Sequence, residues 1–452
     1  MLDLEMTNIE SDIPSCKQLF NVELFVMKCV GLSSLERAFE VDKNYKIRAL
    51  KCWEIFLCIA GIFFLSSLIY SLVASLPYYF GKDFSMTCFI ISVAFSMSMT
   101  LMRLLRIWTC RKKVYQIFGL INKIWEQNTR KRVHLKAQIM KVVDTNKSLR
   151  HMYLIVAFIL NICYSMRPYI MLLTTYFTLG KNETMTFTEQ AFTGVVYPVR
   201  TDTRFRYVLL MLMELHISYF GSAYIIIGDM LFVFLTTVLT IHFMVLADDY
   251  VSIIDIYRKN NNNLSSIDEV IKRHCSLLYV CQQITYLYSP IVMAMIILNG
   301  IDLCCTIFSF QQDFAAGRAE ISLAQNLPHA LLLISQMIIY CNCAHITTEQ
   351  IESLTEAVYN SRWVEGDKKV AKAVIILMIN TQREYNFTAY GFFILNRQQL
   401  TQMSIKKKNS THQITLFPSN QPEKFIKKQE LTSKSPEHCA TFCLTAAQLQ
   451  SR

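Results

Sequence analysis

Five ionisable side chains lie inside long apolar stretches of the 452-residue sequence, and they are the first candidates for chemistry: Arg167, Glu214, His216, Asp229 and His242. An ionisable group inside a bilayer is costly unless it is paired or hydrated, so such positions often serve function. Arg167 and Glu214 are expected at similar depth on neighbouring helices. They form either a structural ion pair or, together with His216, the polar contacts of an otherwise apolar cavity.

Enzymatic and metal-binding motifs are not evident. The sequence contains no phosphate-binding glycine loop, nucleophile elbow or zinc-protease signature. Cys341, Cys343 and His345 are possible metal ligands at short spacing, but no second ligand pair follows at the distance that a zinc site requires. We therefore expect no enzyme activity, no cofactor and no metal.

Aromatic and apolar side chains collect in what should be the outer halves of the second to fourth membrane spans. A cavity with apolar walls and few polar groups suits a small hydrophobic ligand. The alternative is that these side chains only pack helices together or face lipid. The candidate ligand-binding residues are Phe89, Val93, Tyr164, Tyr169, Met213, His216 and Phe220, with Tyr219 beside them.

The elements that position these residues are transmembrane helices. Hydrophobic residues make up 53% of the chain and charged residues 17%, and a span needs about 20 mostly apolar residues. The sequence predicts an all-α polytopic bundle, in which Arg103 and Arg106 end the second span and reach the interface. Residues 370–379 are too short to span and predict a short amphipathic or protein-buried helix. The six predicted spans are about 55–76, 84–106, 152–179, 207–246, 277–310 and 323–344.

Basic residues set the expected orientation. The loop 109–150 is rich in Lys and Arg, which places it and the N-terminus in the cytoplasm. The net charge of +11 is therefore loop charge and does not indicate nucleic-acid binding. Among the Asn-x-Ser/Thr sequons only Asn182 then faces outside, where it is expected to carry glycan. The expected organisation is a cytoplasmic segment 1–50, a six-span bundle 51–346, a cytoplasmic segment with the start of a seventh helix 347–400, and a polar tail 401–452.

The second half of the chain resembles the insect odorant receptor family. The basic-His stretch Ile271-Lys272-Arg273-His274 and the segment Phe308-Ser309-Phe310-Gln311 are similar to the two ends of that family's fifth span. The stretch from Gln336 to Tyr340-Cys341 matches the inner half of its sixth span. The most specific similarity is the cytoplasmic segment ending in Tyr-x-Ser-x-Trp, here Glu356-Ala357-Val358-Tyr359-Asn360-Ser361-Arg362-Trp363. The stretch Phe387-Thr388-Ala389-Tyr390-Gly391-Phe392-Phe393-Ile394-Leu395 looks like the turn that opens the seventh helix.

This resemblance implies an odorant-gated cation channel in the plasma membrane of chemosensory neurons. It implies a small volatile apolar ligand in the outer part of the bundle and a hetero-tetramer with an olfactory co-receptor, among membrane lipids. In the family the last helix lines the pore. Here a polar tail with Lys406, Lys407 and Lys408 follows Met403, so the seventh helix is missing or altered, and the tail is expected to be cytoplasmic and largely disordered.

Other readings remain open at this point. A gustatory receptor of the related family would also fit residues 387–395, and a variant without the pore helix would bind ligand without conducting. A G-protein-coupled receptor is disfavoured by the cytoplasmic N-terminus. A transporter is disfavoured because no internal repeat relates the two halves of the chain.

Overall fold

The computed structural model describes most of the chain, and the fold is built almost entirely from helices. The residues that it describes are 13–39, 52–178, 204–259, 264–315, 317, 319–361, 363–365, 368–382 and 385–399. Side chains within 164–178, and a few others inside helices, lie outside this description. The predicted tail 401–452 and Asn182 also lie outside it, so these expectations stay predictions.

The membrane-spanning helices follow from uninterrupted apolar sequence and few helix breakers. In chain order the long helices are α3 Cys52–Tyr79, α4 Phe84–Thr109, α6 Lys136–Thr178, α7 Arg204–Lys259, α8 Leu264–Ala315 and α9 Ala319–Tyr359. Within the described residues, α3, α4, α7, α8 and α9 are each long and apolar enough to cross a membrane. Helix α6 contains the predicted third span. The predicted all-α membrane bundle is confirmed, whereas the exact number of spans stays a prediction.

Helix α7 lies at the centre of the bundle. It packs mainly against α9, and also against α4, α6 and α8, while α4 packs mainly against α8 and α3. Its 56 residues make a rod about 84 Å long, far beyond the roughly 30 Å of a hydrocarbon core. Helix α3 lies on the outside and exposes large apolar side chains such as Phe56, Phe63 and Tyr70, as expected of a lipid-facing helix.

The segment 109–150 was predicted as a basic loop, but it is mostly helical. It contains α5 Arg111–Gln127, two short 3-10 turns and the start of α6. Helix α5 is amphipathic: its apolar stripe, which includes Phe118, Ile121 and Trp125, is fully buried. Its basic residues lie on the opposite face. The many charges suggested a loop, but the helical spacing of the apolar residues is the feature that determines the structure here.

The N-terminal segment packs against this helical extension. It consists of α1 Cys16–Leu19, α2 Asn21–Cys29 and a 3-10 helix Ser33–Phe39. Ser15 and Gln18 form a capping box at the start of α1. Glu23 on α2 is buried and forms an ion pair with Arg150 of α6, which ties the segment to the bundle.

Proline interrupts the backbone hydrogen bonds of α8, and an arginine from α4 repairs the defect. Pro290 has no N–H, so it cannot donate to the carbonyl of Tyr286 one turn earlier. Arg106 Nη2 donates to Tyr286 O at 2.7 Å, and Arg106 Nε donates to Leu287 O at 3.3 Å. The sequence predicts that Arg106 reaches the membrane interface, and the structure adds that its guanidinium binds this break.

The chain beyond α9 forms a short helix and a hairpin. Helix α10 is Lys368–Thr381, in agreement with the short apolar helix that the sequence predicts. Strand β1 Thr388–Ala389 pairs antiparallel with β2 Phe393–Ile394, and Gly391 supplies a positive φ of 75° in the turn. Ser289 of α8 donates to Thr388 O at 2.8 Å, so the hairpin is fixed beside Pro290.

Candidate ligand-binding cavity

A cavity lies between helices α3, α4, α6, α7 and α9. It comprises about 740 Å³ of space not filled by atoms, and this figure includes space that is open to the surroundings. Its described lining is Leu68, Val93, Ser96, Met97, Ala157, Leu160, Asn161, Glu214, Ser222, Ile225, Ile226, His329 and Leu332. On the topology that the sequence predicts, the lining residues of α3, α4 and α9 lie near the middle of their spans, and those of α6 lie in the inner half of the third span.

Helical spacing explains how these residues reach one space. On α4, α6 and α7 the lining positions recur at i, i+3 and i+4, as in Val93, Ser96 and Met97, so each helix presents one face to the cavity. The described lining contains aliphatic side chains and polar groups but no Phe, Tyr or Trp. The aromatic walls that the sequence predicts are therefore not found among the described lining residues.

The predicted ligand-binding residues are divided between the cavity and its surroundings. Val93 lines the cavity, and Phe89 packs beside it in a small buried cluster that includes Leu68. His216 contacts the ring of Phe220 at 4.4 Å between centroids, and neither is part of the described lining. Met213 is half-exposed on the bundle, and the side chains of Tyr164 and Tyr169 lie outside the described residues. The ligand-binding role of all seven stays a prediction.

A buried polar cluster adjoins the cavity wall. His329 Nε2 lies 3.1 and 3.2 Å from the two carboxylate oxygens of Asp302 on α8. Ser96 donates to Asp302 Oδ2 at 2.7 Å, and Ser92 donates to Oδ1. Thr306 lies 3.1 Å from the hydroxyl of Ser92. A buried carboxylate needs such donors, because an unpaired charge in an apolar interior is very unfavourable.

A second polar network lies deeper in the bundle and surrounds Asp229 on α7. The carboxylate contacts Arg103 Nη2 of α4 at 3.4 Å and accepts from Tyr340 at 2.9 Å. It also accepts from Gln336 Nε2 at 2.9 Å and from the hydroxyl of Tyr153. Helices α4, α6, α7 and α9 therefore converge on one acid. The sequence placed Arg103 at the membrane interface, but Arg103 is buried because Asp229 supplies a countercharge inside the bundle.

The remaining ionisable and metal-ligating candidates from the sequence show no catalytic or metal-binding arrangement among the described residues. Glu214 lines the cavity, but its expected partner Arg167 has no described side chain, so their pairing stays a prediction. His242 is buried on α7, and its Nδ1 lies 3.0 Å from the hydroxyl of Thr129. Among the described residues no group of three or more His, Cys, Asp or Glu side chains could hold a metal ion, so Cys341, Cys343 and His345 do not form such a site.

The sequence reasoning missed both Asp302 and His329. Each is a single ionisable residue within a stretch that was counted as apolar, and the two are far apart in the chain. The available signal was an Asp inside the fifth span, because a charge at that depth requires a partner. That signal gives no information about which helix provides the partner.

Several long apolar helices packed into one bundle define a multi-pass helical membrane protein. A family model described as 7tm Odorant receptor matches residues 83–403, which is most of the chain. The chain belongs to this odorant receptor family, in agreement with the resemblance found in its second half. Membership of a receptor family also supports the expectation that the chain is not an enzyme.

Individual relatives are distant in sequence. Odorant receptor 47a of Drosophila melanogaster is 22% identical over 134 residues, which are 28% of this chain and 34% of that relative. Odorant receptor 22c of the same organism is 19% identical over 141 residues, which are 31% of this chain and 34% of that relative. The chain thus covers about a third of the length of each of these curated relatives.

Solved structures extend the likeness over most of the chain. The insect olfactory receptor OR5 from Machilis hrabei superposes with a TM-score of 0.66 at 14% identity, over 85% of this chain and 96% of that one. The same receptor in complex with eugenol gives 0.67 at 14% identity, over 86% and 97%. At this level of identity the likeness establishes the fold.

Proposed function

We propose that this chain is an odorant receptor subunit that binds a small, volatile, largely apolar ligand in the cavity between α3, α4, α6, α7 and α9. The observation that carries the proposal is the lining of the cavity, which consists mainly of aliphatic side chains with a few polar groups. That combination suits a ligand that gains affinity from apolar burial and orientation from one or two hydrogen bonds. The receptor OR5, which shares the fold, has been solved with the small molecule eugenol.

Ligand binding would act by shifting a conformational equilibrium. A ligand changes the population of a state only by as much as it binds that state better than its alternatives. Helix α9 provides His329 and Leu332 to the cavity and, about one turn further along, Gln336 to the Asp229 network. Movement of α9 on ligand binding would therefore change contacts around Asp229, deeper in the bundle.

The proposal extends to the assembly that the family resemblance implies. The chain would act as the tuning subunit of a cation channel, in a hetero-tetramer with an olfactory co-receptor in the plasma membrane of chemosensory neurons. In this proposal the cavity binds the ligand, whereas ions would pass through a pore that other segments line. Because the sequence predicts a polar tail in place of the family's pore helix, we expect little ligand-evoked current beyond that of the co-receptor alone.

Direct binding to the purified full chain tests the proposal without depending on conduction. The assay is thermal unfolding of the detergent-solubilised protein with a panel of volatile ligands. A ligand at about 100 times its dissociation constant stabilises the folded state by about 2.7 kcal/mol, which a shift in melting temperature reveals. At least one ligand of the panel should stabilise the protein.

A pair of neighbouring substitutions on α6 locates the site. Leu160 lines the cavity, whereas Ile159 is half-exposed on the outside of the same helix. Leu160→Trp should fill the cavity and abolish the ligand-induced shift, and Ile159→Trp should retain it. If both variants bind ligand as the unmodified chain does, this cavity is not the binding site.

A further inference from the structure

Two hydroxyl groups on the cavity wall point their hydrogens into the protein. Ser96 on α4 donates to Asp302 Oδ2 at 2.7 Å, and Ser222 on α7 donates to Asn161 Oδ1 at 2.9 Å. Both serines line the cavity. A hydroxyl has one hydrogen and two lone pairs, so each of these groups has only acceptor capacity left for a ligand.

The orientation of Ser96 is fixed by Asp302. This carboxylate is 1% exposed, and an ionised carboxylate accepts hydrogen bonds but cannot donate. Its other donors are Ser92, His329 and, at 3.4 Å, the hydroxyl of Thr306. If the hydrogen of Ser96 turned toward the cavity, the buried charge would lose a donor, and an unsatisfied buried charge is more costly than a neutral group.

The orientation of Ser222 is fixed by the amide of Asn161. Asn161 Nδ2 donates to the carbonyl of Ala157 at 3.3 Å, so its Oδ1 must face Ser222. Rotating the amide by half a turn would place two acceptor oxygens against each other. Asn161 Nδ2 keeps one further hydrogen, so these three lining residues offer a ligand two acceptors and at most one donor.

We infer that the cavity selects apolar ligands that carry a hydrogen-bond donor, such as aliphatic alcohols or phenols, over isomeric ethers and corresponding aldehydes. This inference rests on the proposed odorant-binding function and specifies its ligand class. An alcohol can donate to Ser96 or Ser222, whereas an ether or aldehyde has no hydrogen for either hydroxyl and can use only the remaining hydrogen of Asn161 Nδ2. Ser96 and Ser222 are then specificity-determining residues, and Asp302 is a positioning residue that acts through Ser96.

Apolar burial alone predicts the opposite preference. Octanol and heptyl methyl ether are isomers, but the alcohol gives up stronger hydrogen bonds to water when it enters an apolar space. Without acceptors in the right place the ether should bind at least as well. A preference for the alcohol therefore reports hydrogen bonds and not cavity size or hydrophobicity.

The test compares octanol, heptyl methyl ether and octanal as ligands of the purified full chain, by thermal stabilisation at graded concentrations. We expect octanol to bind about threefold to tenfold more tightly than either of the others. Ser96→Ala and Ser222→Ala should each reduce this ratio. The matched control is Ser98→Ala, because Ser98 lies on the same helix, donates to Ala94 O at 2.7 Å and is not part of the lining. Its ratio should be unchanged.

Asp302→Asn should improve the binding of ligands that can only accept hydrogen bonds. An asparagine side chain can donate to Ser96 and thereby release its hydrogen toward the cavity, so binding of the ether and the aldehyde should improve relative to octanol. If this buried substitution prevents folding, the isomer comparison in the unmodified chain and Ser222→Ala still decide the matter.

The outcomes separate the inference from the proposed function. Equal or tighter binding of the ether, or an octanol preference that both folded serine variants retain, overturns the inference and leaves odorant binding intact. If none of the three compounds binds while other odorants do, the inference fails alone. If no volatile ligand binds at all, the proposed function fails, and the inference fails with it.

Discussion

Replacing Asp229 by Asn should strongly destabilise the bundle. The substitution keeps the shape of the side chain but removes the charge that faces Arg103, whose Nη2 lies 3.4 Å from Asp229 Oδ1. Both side chains are about 1% exposed. Among the described residues, Arg103 Nε and Nη2 have no hydrogen-bond acceptor, so the arginine depends on this countercharge.

The expected size of the effect follows from the burial of this pair. Breaking a buried ion pair by removing one partner costs about 3–5 kcal/mol, because the remaining charge is left uncompensated. For a chain of 452 residues that loss should lower the melting temperature by roughly 3–5 °C, since the entropy of unfolding is about 2.1 cal/mol/K per residue. Asp248→Asn is the control, since Asp248 is partly exposed and lies 3.7 Å from Arg132. A surface pair of this kind contributes about 0–1 kcal/mol, so the melting temperature should hardly change.

The assay is size-exclusion chromatography of the detergent-solubilised, fluorescently tagged chain after heating to graded temperatures. Adding Arg103→Met to Asp229→Asn should recover part of the lost stability, because the double variant buries no unpaired charge. The reasoning is refuted if Asp229→Asn melts like the unmodified chain. It is also refuted if the double variant is no more stable than the single one, since the loss would then come from lost hydrogen bonds and not from charge.

Other regions allow further tests. Burial and the nearby charge of Glu126 raise the pKa of the Cys16 thiol, so maleimide should label the exposed Cys29 quickly and label Cys16 only after denaturation. The mass shift removed by a glycosidase should disappear in Asn182→Gln, and a shift that persists would contradict the predicted topology. Epitope tags placed at residues 1 and 452 should stain only in permeabilised cells, whereas staining of intact cells at residue 452 would indicate a further span.

Hydropathy and helical spacing predicted most of the architecture. The apolar runs of α3, α4, α7, α8 and α9 are long enough to mark spans directly, because a bilayer imposes a minimum length. The interior was harder to predict. Arg103 and Arg106 end an apolar run, and this position favours either the interface or a buried partner. The choice depends on Asp229 and on Pro290, which lie on other helices, and pairing across helices leaves no local pattern.

The cavity was predicted only in outline. Its approximate place among the second to fourth spans could be inferred, and Val93 lies in the lining. The sequence favoured aromatic side chains as walls, but Phe220 instead packs against His216 outside the described lining. An aromatic side chain on the inner face of a helix can pack against a neighbouring helix as well as line a cavity. The space between helices depends on how they cross, and the sequence of one helical face does not determine that crossing.

Because Arg106 repairs the break at Pro290, the effects of mutations at these two distant positions depend on each other. With proline at 290, loss of Arg106 leaves the Tyr286 carbonyl without the donor that it has in the structure. With alanine at 290, the helix supplies its own donor and Arg106 becomes dispensable for this contact. The effect of a mutation at Arg106 should therefore depend on the residue at 290, and in a double-mutant cycle the two changes should not add. Genetic variation at either position is interpretable only when the other position is known.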